Sequence, residues 1–335
     1  YNRVGLDYGK DEIMVSNRLA PLTESGILAA LSVVLGLMAV YLPVVGVIAV
    51  MIWALPLVVL TVRHGLRYGA AAAVAATAVL SLFAGPPMAV RLFLAFAPTG
   101  LALGWAIGAE LSGTRIFFSG LAASIAGKLL GFALIFFLMG IDPWQTQLDG
   151  MREAFSATTQ MYEDIGVDSA DIQQSTQQLD QAITMLAELA PLVLLLMGLC
   201  ATLVLYFLGG RVLKRLGHPV PSALPPFGEW RLPVGFLYLF GFSLVALYWG
   251  GGHEMPMLRQ AGLNANMIAL FAGLVQGLSL LHVLLSHFRV RGIVRACIYI
   301  FICLNGLLLQ IVAFTGLIDM FFDYRSRFAG RFGGR

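Results

Sequence analysis

Residues 44–62 read VVGVIAVMIWALPLVVLTV, a run of nineteen positions without a charged side chain. Folded as an α-helix, such a run covers about 28 Å, close to the thickness of the hydrocarbon core of a bilayer. It shows none of the strict apolar/polar alternation over ~10 residues that marks the strands of a membrane barrel. Pro43 bounds it on one side and the basic pair Arg63-His64 on the other. A helix that must bury all round in lipid is the reading.

The same pattern recurs on both sides of this stretch. Nine candidate spans follow: 26–42, 44–62, 66–83, 90–109, 116–141, 189–208, 232–248, 267–285 and 293–317. Composition agrees, since 59% of the 335 residues are hydrophobic and only 12% are charged. Soluble domains carry roughly 25% charged residues, and half that share cannot cover a soluble particle of this length. The expected fold class is all-α, a polytopic transmembrane helix bundle of about nine spans. Gly85-Pro86-Pro87 separates the third span from the fourth. Pro56, Pro98 and Pro233 lie within or near span ends, where kinks are tolerated if neighbours satisfy the freed carbonyls.

The spans divide the chain into segments. Residues 1–25 are polar, with no cleavable signal expected among them, and 26–141 hold spans one to five. Residues 142–187 are acidic, with Asp142, Asp149, Glu153, Glu163, Asp164, Asp168, Asp171 and Asp180 against the single Arg152. Met151, Phe155 and Tyr162 recur there at helical spacing, and Gly166 followed by Asp168-Ser169 reads as a helix stop and a fresh N-cap. An extracytoplasmic helical hairpin is expected, its second arm fused to span six at 188–210. Residues 211–231 form a basic connector containing Pro219-Val220-Pro221, 232–318 hold the last three spans, and 319–335 are a basic tail.

Lysine and arginine gather on the cytoplasmic side of membrane proteins. With the N-terminus in the cytoplasm, that side holds Arg3, Lys10, Arg18, Arg63, Arg67, Arg115, Arg211, Lys214, Arg215, Arg231, Arg289, Arg291 and Arg295. The other side holds Arg91, Arg152 and Arg259 before the tail, so the acidic hairpin is placed outside. A ninth crossing sends Arg325, Arg327, Arg331 and Arg335 outside against the rule. A re-entrant segment broken near Asn305-Gly306 would keep them inside, and both topologies stay open. The expected setting is a cytoplasmic (inner) membrane, crossed many times, with the N-terminus on the cytoplasmic side.

No P-loop, HExxH or GxSxG is present, so no enzyme, cofactor or metal is expected. Cys200, Cys297 and Cys303 sit in apolar runs with no metal-ligand spacing, and the net charge of +3 gives no reason to expect nucleic acid. Lys128 stands out, because an ionisable group deep in a span marks function by default. The alternative is a structural ion pair or a side chain reaching back to the surface. Further ligand-binding candidates are Thr99 and Trp105 on span four, Arg91 at its outer end, Asn305 and Gln310 on span nine, and His282 beside Gln276 and Ser279. Each also has a plainer use in helix packing, interhelical hydrogen bonding or the interface. Gly104 and Gly108, spaced as GxxxG, and the stripe of Met151, Phe155 and Tyr162 are the packing or assembly candidates.

The blocks Leu42-Pro43-x-x-Gly46, Leu55-Pro56-Leu57, Val62-Arg63-His64-Gly65-Leu66-Arg67 and Pro98-Thr99-Gly100-Leu101-Ala102-Leu103-Gly104 carry a resemblance. So do Pro225-Pro226-Phe227-x-Glu229-Trp230-Arg231-Leu232-Pro233 and Gly316-Leu317-Ile318-Asp319-x-Phe321-Phe322-Asp323-Tyr324-Arg325. Together they resemble the YybS-like family of bacterial membrane proteins, whose function is unknown. That family is similar, more remotely, to the six-span S subunits of energy-coupling-factor (ECF) vitamin importers. This resemblance implies a small-molecule binding or transport subunit in the first six spans. The chain departs from S subunits in its first span, where Ala29 and Ala30 meet Val33 and Val34 rather than a second alanine, and in its three added spans. The competing expectation is a non-transporting scaffold that assembles through the hairpin. Expected partners are the lipid bilayer, a second copy or another membrane protein, and a small molecule.

Overall fold

The computed structural model describes residues 5–164, 169–218 and 223–324. Among them are thirteen α-helices, a short 3₁₀ turn and no strand. The helices are α1 (Gly5–Tyr41), α2 (Pro43–Ile52), α3 (Leu55–His64), α4 (Leu66–Ala84), α5 (Pro86–Gly108), α6 (Gly113–Met139) and α7 (Pro143–Asp164). There follow α8 (Ser169–Glu188), α9 (Ala190–Arg215), α10 (Gly235–Gly252), α11 (Pro256–His287), α12 (Gly292–Leu304) and α13 (Gly306–Phe322). The polytopic helical bundle is therefore the architecture. The expected stop at Gly166 to Asp168, the turn Pro219-Val220-Pro221 and the tail arginines lie outside the described residues.

The chain falls into two compact units. The first comprises Tyr1–Gln147 and Leu194–Leu224, the second Leu148–Val193 and Pro225–Arg335. In the first unit, α2 and α3 form one broken span, interrupted at Trp53-Ala54 just ahead of Pro56. Gly65 and Gly85 reverse the chain on either side of α4, at φ of 90° and 82°. Side chains with a Cβ seldom adopt that conformation, so a helix stops there and the next begins. Short loops make neighbouring spans antiparallel. Glu24 of α1 accordingly pairs with both Arg63 and His64 at the end of α3, and the Tyr41 hydroxyl donates to the Phe83 carbonyl at 2.7 Å.

The first unit's core is built by large side chains set into small ones. Trp53, Leu57, Leu60, Leu103, Leu205 and Leu213 are buried beside Ala73, Ala76 and Ala97. Thr61 of α3 is enclosed by two glycines. A Cβ on Gly69 of α4 would fall 2.1 Å from its Oγ1, and one on Gly104 of α5 would fall 2.5 Å from its Cβ.

In the second unit, α11 packs along α10 and α13. Gly273 and Gly277 of α11 meet Gly316 of α13 backbone to backbone, and a Cβ on Gly316 would lie 1.9 Å from the Gly273 carbonyl oxygen. Segment 293–317 is not one straight helix. Asn305 splits it into α12 and α13, which bend by 103°. Among the described residues eight helices are long and apolar enough to cross a membrane, or nine if the bent pair counts as one span. Asn305 leaves helical dihedrals and its side chain accepts from the Leu308 amide at 3.1 Å, capping α13.

The two C-terminal blocks quoted above, far apart in sequence, meet here. Arg231 donates to Asp323 at 2.9 Å, and Gln276 takes the Leu232 amide while donating to Asp319 at 2.7 Å. The chain thus leaves α13 beside the point where the connector leads into α10. The final third of α11 packs on the same connector through Ser279, whose hydroxyl donates to the Phe227 carbonyl. Entrance to α12 and exit from α13 lie at one end of the second unit.

Candidate functional site

In the first unit, helices α5 and α6 approach closely because glycines line one of them. A Cβ on Gly120 would fall 2.6 Å from Leu103, and one on Gly127 would fall 2.3 Å from the Leu94 carbonyl. Leu94 is the residue whose helical hydrogen bond Pro98 deletes, since proline has no N–H to give to the carbonyl four residues back. The Leu94 rung is therefore open, and Lys128 reaches the next carbonyl along, that of Ala95. Its Nζ donates to the Ala95 carbonyl at 3.1 Å and to Ser124 Oγ at 2.7 Å, and stands 5.3 Å from the Phe96 ring centroid.

Lys128 lies about 16 Å of helix from the end of α6 at Met139, near the middle of a span. It is 8% exposed, and among the described residues it is the one Lys or Arg that is buried. None of the ion pairs among those residues includes it. An ammonium has three N–H donors, and two neutral oxygens take two of them. The register set by the Leu103–Gly120 and Leu94–Gly127 contacts puts Thr99 level with Ser124 across the interface. Thr99 is fully buried and its hydroxyl has no hydrogen-bond partner. Helix α9 closes the layer with Gly198, where a Cβ would sit 3.6 Å from Ser124 Oγ. The arrangement is one cation, one idle N–H and one idle hydroxyl in an otherwise apolar wall. It can neutralise and hydrogen-bond an anion.

The remaining sequence candidates fall elsewhere. Trp105 is 52% exposed and Gly108 meets Val62 only at 3.9 Å, whereas Gly104 is in tight contact with α3. Arg91 is exposed near the start of α5 and donates to Gln147 at 3.1 Å. In the second unit, Asn305 is a helix cap and Gln310 is exposed. His282 shares a hydrogen bond of 3.0 Å with the Tyr299 hydroxyl and packs on Phe227. Its neighbours Gln276 and Ser279 bind the connector's backbone rather than opening a polar pocket. Met151 and Tyr162 are exposed on α7 and Phe155 is half-buried.

Asn264 escaped sequence reasoning. It sits on α11 beside the junction of α8 and α9, where Leu189 interrupts the helix. Its Oδ1 accepts from the Leu192 amide at 3.2 Å and its Nδ2 donates to the Glu188 carbonyl at 2.7 Å. Those two backbone groups would bond each other in an unbroken helix, so the amide is inserted into one rung of the ladder. Arg259 adds an ion pair to Glu188 at 2.6 Å. No pattern in the sequence marks it, because its partners lie more than seventy residues away at 188 and 192.

Comparison with known proteins fits this architecture. The family described as Predicted membrane protein (DUF2232) matches residues 30–320, and the chain belongs to it. The uncharacterized protein YybS of Bacillus subtilis (strain 168) is 22% identical over 311 residues, covering 91% of this chain and 97% of that protein. No solved structure matches the chain.

Proposed function

We propose that this YybS-like membrane protein is a small-molecule binding or transport subunit whose binding body is the six-span unit around Lys128. The observation that supports it is a buried ammonium at mid-span with no carboxylate partner. A charge at that depth disfavours insertion by about 2.5–3.5 kcal/mol, a standing cost that an anion from outside the chain would offset. The remote family resemblance to ECF S subunits read from the sequence points the same way. With no nucleotide-binding motif in the sequence, uptake would draw on a partner or an ion gradient. The N-terminus and the basic connector lie in the cytoplasm of a bacterial inner membrane on this reading. The test is native mass spectrometry of protein gently extracted from its own membranes. A small molecule bound near one per chain, and absent from folded Lys128→Met, is expected; wild type that flies empty overturns the proposal.

A scaffold role is favoured by one observation. Met151, Met161, Tyr162 and Met185 stand exposed on α7 and α8, and a side of that character suits a protein partner. A monodisperse monomer, both in mild detergent and in native membrane extracts, would reject it.

A further inference from the structure

We infer that the ligand is a monoanionic carboxylate, its head held by Lys128 and Thr99; this rests on the binding-subunit reading and narrows it. The charge count comes first. Among the described residues Lys128 is the single buried base, and the one buried acid, Asp319, belongs to the second unit. A monoanion brings the layer to neutrality, whereas a dianion leaves one charge uncompensated in hydrocarbon and a neutral solute leaves the ammonium as it was. Hydrogen bonding comes second. A carboxylate carries two oxygens with several lone pairs. One oxygen takes the N–H of Lys128 that Ser124 and the Ala95 carbonyl leave over, and the other takes the hydroxyl of Thr99, which has no partner within the chain. The Phe96 ring, 5.3 Å from Nζ, keeps the surroundings of that head apolar, which strengthens both bonds.

A carboxylate at bilayer depth has two sources: a long-chain fatty acid moving within the membrane, or a shorter acid arriving from water. The experiment uses the full chain in phosphatidylcholine nanodiscs and follows its thermal unfolding midpoint. The probes are oleate and octanoate, each against its own alcohol, with succinate as the dianion. At least one carboxylate raises the midpoint in a saturable way and its alcohol does not. Oleate alone acting assigns the membrane source, and octanoate alone the aqueous one. Loss of a bond to a charged group is worth about 1.5–3 kcal/mol, so Thr99→Val weakens apparent affinity about tenfold to a hundredfold. Lys128→Met weakens it by at least as much.

Thr99→Val also keeps the result readable should Lys128→Met misfold, because removing a buried hydroxyl without a partner leaves the ligand-free midpoint level or higher. Equal stabilisation by alcohol, stronger stabilisation by succinate, or unchanged affinity in Thr99→Val overturns the carboxylate assignment. If no carboxylate acts while native mass spectrometry still shows a Lys128-dependent small molecule, the ligand class falls and the binding subunit stands. If wild type also flies empty, both fall.

Discussion

Replacing Gly316 by alanine tests whether the α11–α13 seam is built of backbone. The new Cβ would lie 1.9 Å from the Gly273 oxygen and 2.4 Å from the Gly277 nitrogen. Neither atom can rotate aside, as a side chain would. To reach an ordinary contact of 3.4 Å the helices must part locally by about 1.5 Å. Such overpacking destabilises by about 1–3 kcal/mol. Parting also weakens Cα–H contacts to carbonyls worth perhaps 0.5–1 kcal/mol each, while alanine returns about 1 kcal/mol of helix propensity. The net is a loss of about 2 kcal/mol. Gly241→Ala on α10 supplies the control, since a Cβ there meets nothing within 4 Å and should leave stability level or raise it by up to about 1 kcal/mol. Reversible unfolding in mixed detergent micelles measures both. A Gly316→Ala variant no less stable than Gly241→Ala would refute the argument.

Three further outcomes follow from the structure. Asn264→Ala strands the Leu192 amide, at about 1–3 kcal/mol, and leaves the Glu188 carbonyl only the Gln260 side chain at 3.3 Å; hydrogen exchange at 189–193 should quicken, and unchanged exchange would count against the inserted amide. Gln276→Leu removes the acceptor of the Leu232 amide and one donor to the buried Asp319 carboxylate, so the unfolding midpoint should fall by an amount matching about 2–4 kcal/mol. A reporter fused after Tyr324 should face the same side of the membrane as one placed at Trp230, because Arg231 and Asp323 hold those two points together; opposite sides would restore a ninth crossing.

The membrane helices were legible because lipid imposes a length and an apolarity that single runs such as 44–62 satisfy without help from the rest of the chain. Lys128 was legible for the same reason in reverse, a charge where the solvent forbids one. Asn305 marked its break through the Asn-Gly pair. The supports of these features were harder to see. Lys128 reaches α5 only because Gly127 brings α6 against Leu94 and Pro98, and that pairing of helices is not written in either segment. Gly104 with Gly108 was the visible small-residue motif, yet Gly104 serves α3, and the closest seam uses Gly273, Gly277 and Gly316. Asn264 looked like a loop residue because the apolar run was read from 267, while α11 begins at Pro256.

The amide of Asn264 has a mechanical consequence. A continuous helix transmits a bend as a stiff rod, because tilting one end means tearing its own ladder. At Leu189 the rung is already parted and is held by a detachable catch carried on a different helix. Letting go exchanges the two Asn264 bonds, the Gln260 bond to the same carbonyl and the exposed Arg259–Glu188 pair for water, a net of about 2–5 kcal/mol. The acidic arm α8 can therefore pivot as a hinged flap whose latch is α11, and whatever slides α11 by one residue releases it.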